Sequence, residues 1–127
     1  MIHKLWVALA LSSAGAVWAA DSAQDKAMLR LAADSGCTAC HRIESGAKGS
    51  EGASLIGPAW MDVSTRYRGQ GDAAERLTNT VMSGSNPNET HWRVHASGVV
   101  MPSNAVAIKE ADAKALVRWI LALGSHS

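Results

Sequence analysis

Residues 37–41 read Cys37-Thr38-Ala39-Cys40-His41. Two cysteines separated by two residues and followed at once by a histidine form the motif through which haem is attached covalently. The two thiols can bond to the two vinyl groups on one edge of a haem, and the adjacent imidazole can then bind the iron. Because the covalent tether holds His41 near the iron at a high effective concentration, the motif predicts one covalent haem c with His41 as an iron ligand.

Two other uses of a Cys-x-x-Cys pair are disfavoured. A thioredoxin-like disulfide lies near a βαβ pattern, whereas this chain shows helical periodicity and no strand pattern. A structural zinc site needs four ligands. The residues that could supplement the cysteines are His41, His91, His95 and His126.

Helical periodicity covers most of the chain beyond the motif. The predicted helices span about 22–36, 58–69, 72–84 and 109–123. The pair Asp72 and Glu75 has the spacing of a capping box at the start of the third helix. The sequence therefore predicts an all-α fold, with about four helices wrapped around one covalently bound haem.

A second iron ligand is expected from the irregular segment 85–107. Met101 is the favoured candidate because it lies in this long loop, whereas most other methionines fall on predicted helices and are expected to fill core gaps. A thioether ligand favours ferrous iron and raises the reduction potential. His91 and His95 are the alternatives, and either would give a bis-histidine haem of lower potential.

The amino-terminal residues resemble an export signal. A short basic start through Lys4 precedes an apolar run that ends at Val17, and small residues follow at Ala19 and Ala20. The run is shorter than the roughly 20 apolar residues of a membrane span. We expect residues 1–19 to be a signal peptide cleaved after Ala19 or Ala20, and 20–127 to be one monohaem domain in the periplasm, with an uncleaved anchor as the alternative.

The charge of the chain excludes some classes of partner. It carries 12 basic and 11 acidic residues among 127, a formal net charge of +1. This balance offers no general attraction for nucleic acid or anionic lipid. We therefore expect protein partners that dock on a local patch.

Three segments in order resemble the class I cytochromes c of the bacterial c-551/c-552 type. These segments are Cys37-Thr38-Ala39-Cys40-His41, Ile56-Gly57-Pro58-Ala59-Trp60-Met61-Asp62-Val63 and Val100-Met101-Pro102-Ser103-Asn104-Ala105-Val106. The resemblance covers essentially all of the chain after the export segment, except for the poorly matching residues 85–95. It implies the cytochrome c fold.

The resemblance also implies roles for individual residues. It makes Met101, which precedes a proline, the second axial ligand of the iron. It implies that the Pro58 carbonyl accepts a hydrogen bond from Nδ1 of His41 and orients the ring. Trp119 is expected to pack beside the haem or to approach a propionate, in addition to its place on the apolar stripe of the last helix. A similar role for Trp92 is less strongly implied.

Filled axial positions would leave the iron no site for a substrate, so the expected function is one-electron transfer between redox protein partners, without enzymatic activity or a small-molecule substrate. One alternative is a permanent haem subunit of a periplasmic oxidoreductase complex, in place of a monomeric shuttle. Another is a haem sensor or enzyme with an open distal position, which requires that Met101 not bind the iron.

Overall fold

The computed structural model describes residues 15–46, 56–86, 88 and 100–125. It contains four α-helices: α1 is Gly15–Asp34, α2 is Trp60–Arg66, α3 is Ala73–Ser83 and α4 is Glu110–Ala122. Short 3-10 turns follow α1 and α4, at Cys37–Ala39 and Leu123–Ser125. No strand occurs in the described parts of the chain, and the prediction of an all-α fold is confirmed.

Helix α1 is longer than predicted. It begins at Gly15, seven residues before Ser22, where the predicted helix started. Three of the six residues between Gly15 and Ser22 are alanines, which favour helix, and none of the six is a proline or glycine. The helix passes through the predicted cleavage position and ends shortly before Gly36, where φ is +77°. Residues 1–14 of the predicted export segment lie outside the described residues.

Helix α2 is shorter than predicted, while α3 and α4 lie close to their predicted positions. Pro58 and Ala59 precede α2, and the extended backbone of Ala59 (φ −63°, ψ 143°) forms its N-cap. The capping box predicted for α3 is absent: Asp72 makes no side-chain cap hydrogen bond. Its carboxylate pairs instead with Nε of Arg76, at 2.9 Å, because the arginine lies one turn further along the same helix face.

Helix α4 forms the centre of the core and packs against α1, α2 and α3. Its predicted apolar stripe is confirmed, since Leu116, Trp119 and Ile120 are all buried. The core cluster is completed by residues from α1, α2, α4 and the turn before α4: Ala32, Trp60, Val63, Ile108 and Ala113. In the part of the chain that the structure describes, no helix combines the length and apolarity needed to cross a bilayer.

Candidate functional site

A cavity of about 460 Å³ lies between the Cys37–His41 motif, α2, α3, α4 and the segment around Met101. Its size falls in the range of roughly 300–1,000 Å³ that is typical of small-molecule and cofactor sites. Most of the lining side chains are apolar. They include Ile56, Pro58, Trp60, Val63, Leu77, Val81, Val100, Leu116, Val117 and Ile120.

The motif presents its three reactive side chains to this one cavity. Cys37, Cys40 and His41 all line it. The backbone folds into a tight turn, in which the N–H groups of Cys40 and His41 donate to the Cys37 carbonyl at 3.3 and 3.1 Å. Burial raises the pKa of the Cys37 thiol; its backbone hydrogen bond opposes this shift, and the nearby Cys40 adds to it.

The imidazole of His41 is oriented by a hydrogen bond. Its Nδ1 lies 2.8 Å from the Pro58 carbonyl oxygen. Because a carbonyl can only accept, Nδ1 carries the proton and Nε2 keeps a free lone pair. Burial lowers the pKa of His41, and the hydrogen bond to Pro58 partly offsets that effect. The ring is thus held in the neutral form that can bind a metal.

Gly57 allows the backbone to approach the ring of His41. A Cβ atom at this position would lie 2.6 Å from Cε1 and 2.8 Å from Nδ1 of that ring. The N–H of Gly57 also donates to the Cys40 carbonyl at 2.9 Å, which joins the residues before α2 to the motif. Only glycine fits here without displacing the imidazole.

Two tryptophans lie behind the imidazole. Trp60 stacks on His41 with ring centroids 6.1 Å apart and an interplanar angle of 18°. Trp119 meets Trp60 edge-on at 5.8 Å and donates its Nε1–H to the Asp25 carboxylate at 2.8 Å.

The two tryptophans differ in their relation to the cavity. Trp60 lines the cavity, whereas Trp119 is absent from its lining, and the packing of Trp119 beside the haem stays a prediction. The physical reason is the helical rotation of α4, which turns Leu116, Val117 and Ile120 toward the cavity and Trp119 toward Asp25 of α1.

Met101 also lines the cavity, and hydrogen bonds attach it to the end of α3. The N–H of Met101 donates to the Ser85 hydroxyl oxygen at 3.0 Å, and the N–H of Ser85 donates to the Met101 carbonyl at 2.9 Å. Further along the chain, the N–H of Asn104 donates to the Val81 carbonyl at 3.0 Å. The structure thus brings Met101 to the same cavity as the motif, although 59 residues, 42–100, lie between His41 and Met101 in the sequence.

The other ligand candidates of the sequence, His91, His95 and His126, lie outside the described residues, as does Trp92. Among the residues that the structure does describe, no three histidine, cysteine, aspartate or glutamate side chains gather into a metal-binding cluster. The described donor set is therefore two thiols, one imidazole and one thioether around a largely apolar cavity. These are the donors that a covalent haem requires, and the residues fit that group.

Sequence reasoning missed Gly57, Trp60 and Ser85 as parts of this site. Gly57 and Trp60 lie in the Ile56–Val63 segment, whose tight Gly-Pro pair was a usable signal for a close backbone approach. The pairing of Ser85 with Met101 had no local signal, because it depends on where the chain returns after residues 86–100.

The chain is similar to known proteins in sequence and in fold. A family model described as Cytochrome c matches residues 29–124. Cytochrome c-551 of Allochromatium vinosum is 44% identical over 95 residues, covering 75% of this chain and 84% of that protein. Cytochrome c-552 of Nitrosomonas europaea is 36% identical over 93 residues, covering 73% and 75%. The crystal structure of wild-type Nitrosomonas europaea cytochrome c552 aligns with a TM-score of 0.58 at 35% identity, over 75% of this chain and 98% of that one.

Proposed function

The chain belongs to the cytochrome c family as a monohaem electron carrier of the class I c-551/c-552 type, and we propose that it transfers one electron at a time with His41 and Met101 as its iron ligands. The protein carries one covalently attached haem c. When bound, this group supplies single-electron chemistry through the Fe(III)/Fe(II) couple.

Different residues around the cavity attach the cofactor, orient its ligand and set its potential. Cys37 and Cys40 provide the two thioether attachments, so that the cofactor cannot leave by simple dissociation. Pro58 orients His41 through the 2.8 Å hydrogen bond and makes the imidazole a better electron donor. Met101 provides a neutral sulfur, which favours the reduced form and raises the potential.

One observation carries this proposal: the motif residues and Met101 line the same cavity. A six-coordinate iron has no vacant position for oxygen or substrate, which favours electron transfer over catalysis. The largely apolar lining excludes water and so reduces the solvent reorganisation that accompanies a change of charge.

We further propose that the protein acts in the periplasm and exchanges electrons with redox protein partners. The support for this location is the pattern of residues 1–19, with a basic start, a short apolar run and small residues at its end. Peptide sequencing of the amino end of the exported protein tests it. A mature chain that begins at Ala20 or Asp21 supports cleavage, and a chain that retains Met1 contradicts it.

A free shuttle and a permanent subunit of an oxidoreductase complex are distinguished by size. Gel filtration of the native periplasmic extract, followed at the haem absorbance, is expected to give a peak at the mass of the monomer. Elution of all the haem with a large partner would instead establish the subunit.

The experiment that tests electron transfer is a potentiometric titration of the holo-protein combined with exposure of the reduced form to carbon monoxide. We expect a reversible one-electron transition and no rapid carbon monoxide adduct at neutral pH. A rapid adduct in the wild-type protein would contradict six-coordination and would favour a sensor or enzyme with an open position.

A further inference from the structure

Ser85 and Met101 form a reciprocal pair of hydrogen bonds across the cavity rim. The N–H of Met101 donates to the Ser85 hydroxyl at 3.0 Å, and the N–H of Ser85 donates to the Met101 carbonyl at 2.9 Å. Both residues are partly buried and both line the cavity. One serine therefore satisfies the donor and the acceptor of the backbone that carries the proposed sulfur ligand.

Gly84 makes this close approach sterically possible. Its φ of +87° is in the left-handed region, and a Cβ on it would lie 2.9 Å from the Met101 carbonyl oxygen and 3.0 Å from the nitrogen of Ser103. Because Gly84 has no side chain, the backbone at the end of α3 can lie directly against the backbone of the Met101 segment. Ser85 is the next residue after Gly84, so this turn places it beside Met101.

The neighbouring hydrogen bonds act on other residues of the segment. The Ser103 hydroxyl donates to the Met82 carbonyl, and Asn104 donates to the Val81 carbonyl. These bonds use carbonyl groups in the last turn of α3, which have no partner within the helix. They hold the chain beyond Met101, whereas the Ser85 hydroxyl holds Met101 itself.

From this arrangement we propose that Ser85 is a positioning residue for Met101, whose hydroxyl keeps the methionine backbone closed over the cavity. The inference rests on the proposed role of Met101 as an iron ligand and adds to it the group that controls how often that ligand is released. Without the hydroxyl, the N–H of Met101 loses its acceptor and the open conformation gains population.

An external ligand that competes with Met101 measures that population. The apparent dissociation constant of such a ligand falls as the open fraction rises. Losing one hydrogen bond of this kind changes an equilibrium by roughly three- to tenfold. Imidazole binding to the ferric holo-protein, followed by loss of the near-infrared band of methionine sulfur on ferric haem, is therefore the readout.

The experiment compares wild type with three variants. Ser85→Ala removes the acceptor, Ser85→Thr keeps a hydroxyl, and Ser83→Ala is the matched control because Ser83 is the exposed last residue of α3. We expect Ser85→Ala to bind imidazole roughly three- to tenfold more tightly than wild type. We expect Ser85→Thr to restore most of the wild-type affinity and Ser83→Ala to match it.

The possible results separate this inference from the proposed ligation. A wild-type protein that shows the sulfur band, with Ser85→Ala binding imidazole as wild type does, overturns the positioning role alone. A wild-type protein without the band overturns the ligation by Met101 and the inference with it. A purely structural role for Ser85 would lower the unfolding midpoint of Ser85→Ala without changing its imidazole affinity, and this result also contradicts the proposal.

Discussion

Two sides of the cavity are held in place by different interactions. The His41 wall consists of His41, Pro58 and Trp60, and the Met101 wall consists of Met101 and Ser85. Behind His41 stand two buried tryptophans, with Trp60 3% exposed and Trp119 6% exposed. Beside Met101 lies Val100, which is 41% exposed. Aromatic packing, together with the hydrogen bond from His41 to the Pro58 carbonyl, fixes the first wall, whereas hydrogen bonds from the end of α3 fix the second.

This difference predicts which side of the cavity is displaced first when the protein is perturbed. Moving His41 requires the aromatic cluster to repack, and densely packed interiors resist such changes. Moving the Met101 backbone requires that a few hydrogen bonds near solvent exchange partners, each of which contributes about 1 kcal/mol. We therefore expect perturbations of the His41 wall to affect stability and those of the Met101 wall to affect ligand exchange.

The largest expected effect comes from breaking the covalent part of the His41 wall. Cys40→Ala removes one of the two proposed thioether attachments. We expect a substantial part of the haem to become extractable into acidified organic solvent, measured as the fraction of haem that leaves the protein. Thr38→Ala is the control, because Thr38 lies between the two cysteines and is exposed. Equal haem retention in Cys40→Ala and wild type would contradict attachment through Cys40.

The next effect is steric. In Gly57→Ala the new Cβ would lie 2.6 Å from the imidazole of His41. The clash is expected to lower the free energy of unfolding by about 1–3 kcal/mol, the usual cost of overpacking. Denaturant unfolding of the two holo-proteins measures this difference. Gly71→Ala is the matched control, since a Cβ at Gly71 meets no heavy atom within 4 Å, and equal losses in both variants would refute the steric argument.

A smaller effect is expected behind the imidazole. Trp119→Phe removes the N–H that donates to Asp25 and is expected to reduce the free energy of unfolding by about 1 kcal/mol beyond the loss of packing. A double-mutant cycle with Asp25→Ala isolates the hydrogen bond. We expect the reduction potential to change little, because Trp119 does not line the cavity. A coupling energy of zero would show that the hydrogen bond adds no stability.

The smallest effect on stability is expected from Arg76, which also lines the cavity. Arg76 pairs with Asp72 and lies over the ring of Tyr67, with its Cζ 5.5 Å from the ring centroid. Its side chain is 47% exposed, so Arg76→Gln is expected to cost less than about 1 kcal/mol. Thermal unfolding at low and high salt measures the cost. A loss of several kcal/mol that salt does not reduce would contradict this expectation.

The sequence predicted the Cys37–His41 motif and Met101, but not the residues that pack around them, for a physical reason. The Cys37–His41 motif is contiguous, so its register is local, and the Met101-Pro102 pair marked a ligand candidate. The apolar spacing of Leu116, Trp119 and Ile120 likewise predicted the buried face of α4, which the structure confirms.

Other features depend on three-dimensional placement and could not be read from spacing. The rotation of α4 places Trp119 against Asp25, and only the assembled helices decide that. Asp72 could cap the backbone of α3 or pair with Arg76, and in the structure it pairs with Arg76. The pairing of Ser85 with Met101 depends on where residues 86–100 bring the chain back to α3, and no local sequence pattern predicts that position.

The near-infrared spectrum of the ferric holo-protein, recorded side by side for wild type and Met101→Ala, tests the ligation of the iron by Met101 most directly. We expect the band of methionine sulfur on ferric haem to be present in wild type and absent in Met101→Ala, while the haem stays covalently bound in both. A band that persists in Met101→Ala, or that is missing from wild type, would contradict ligation of the iron by Met101.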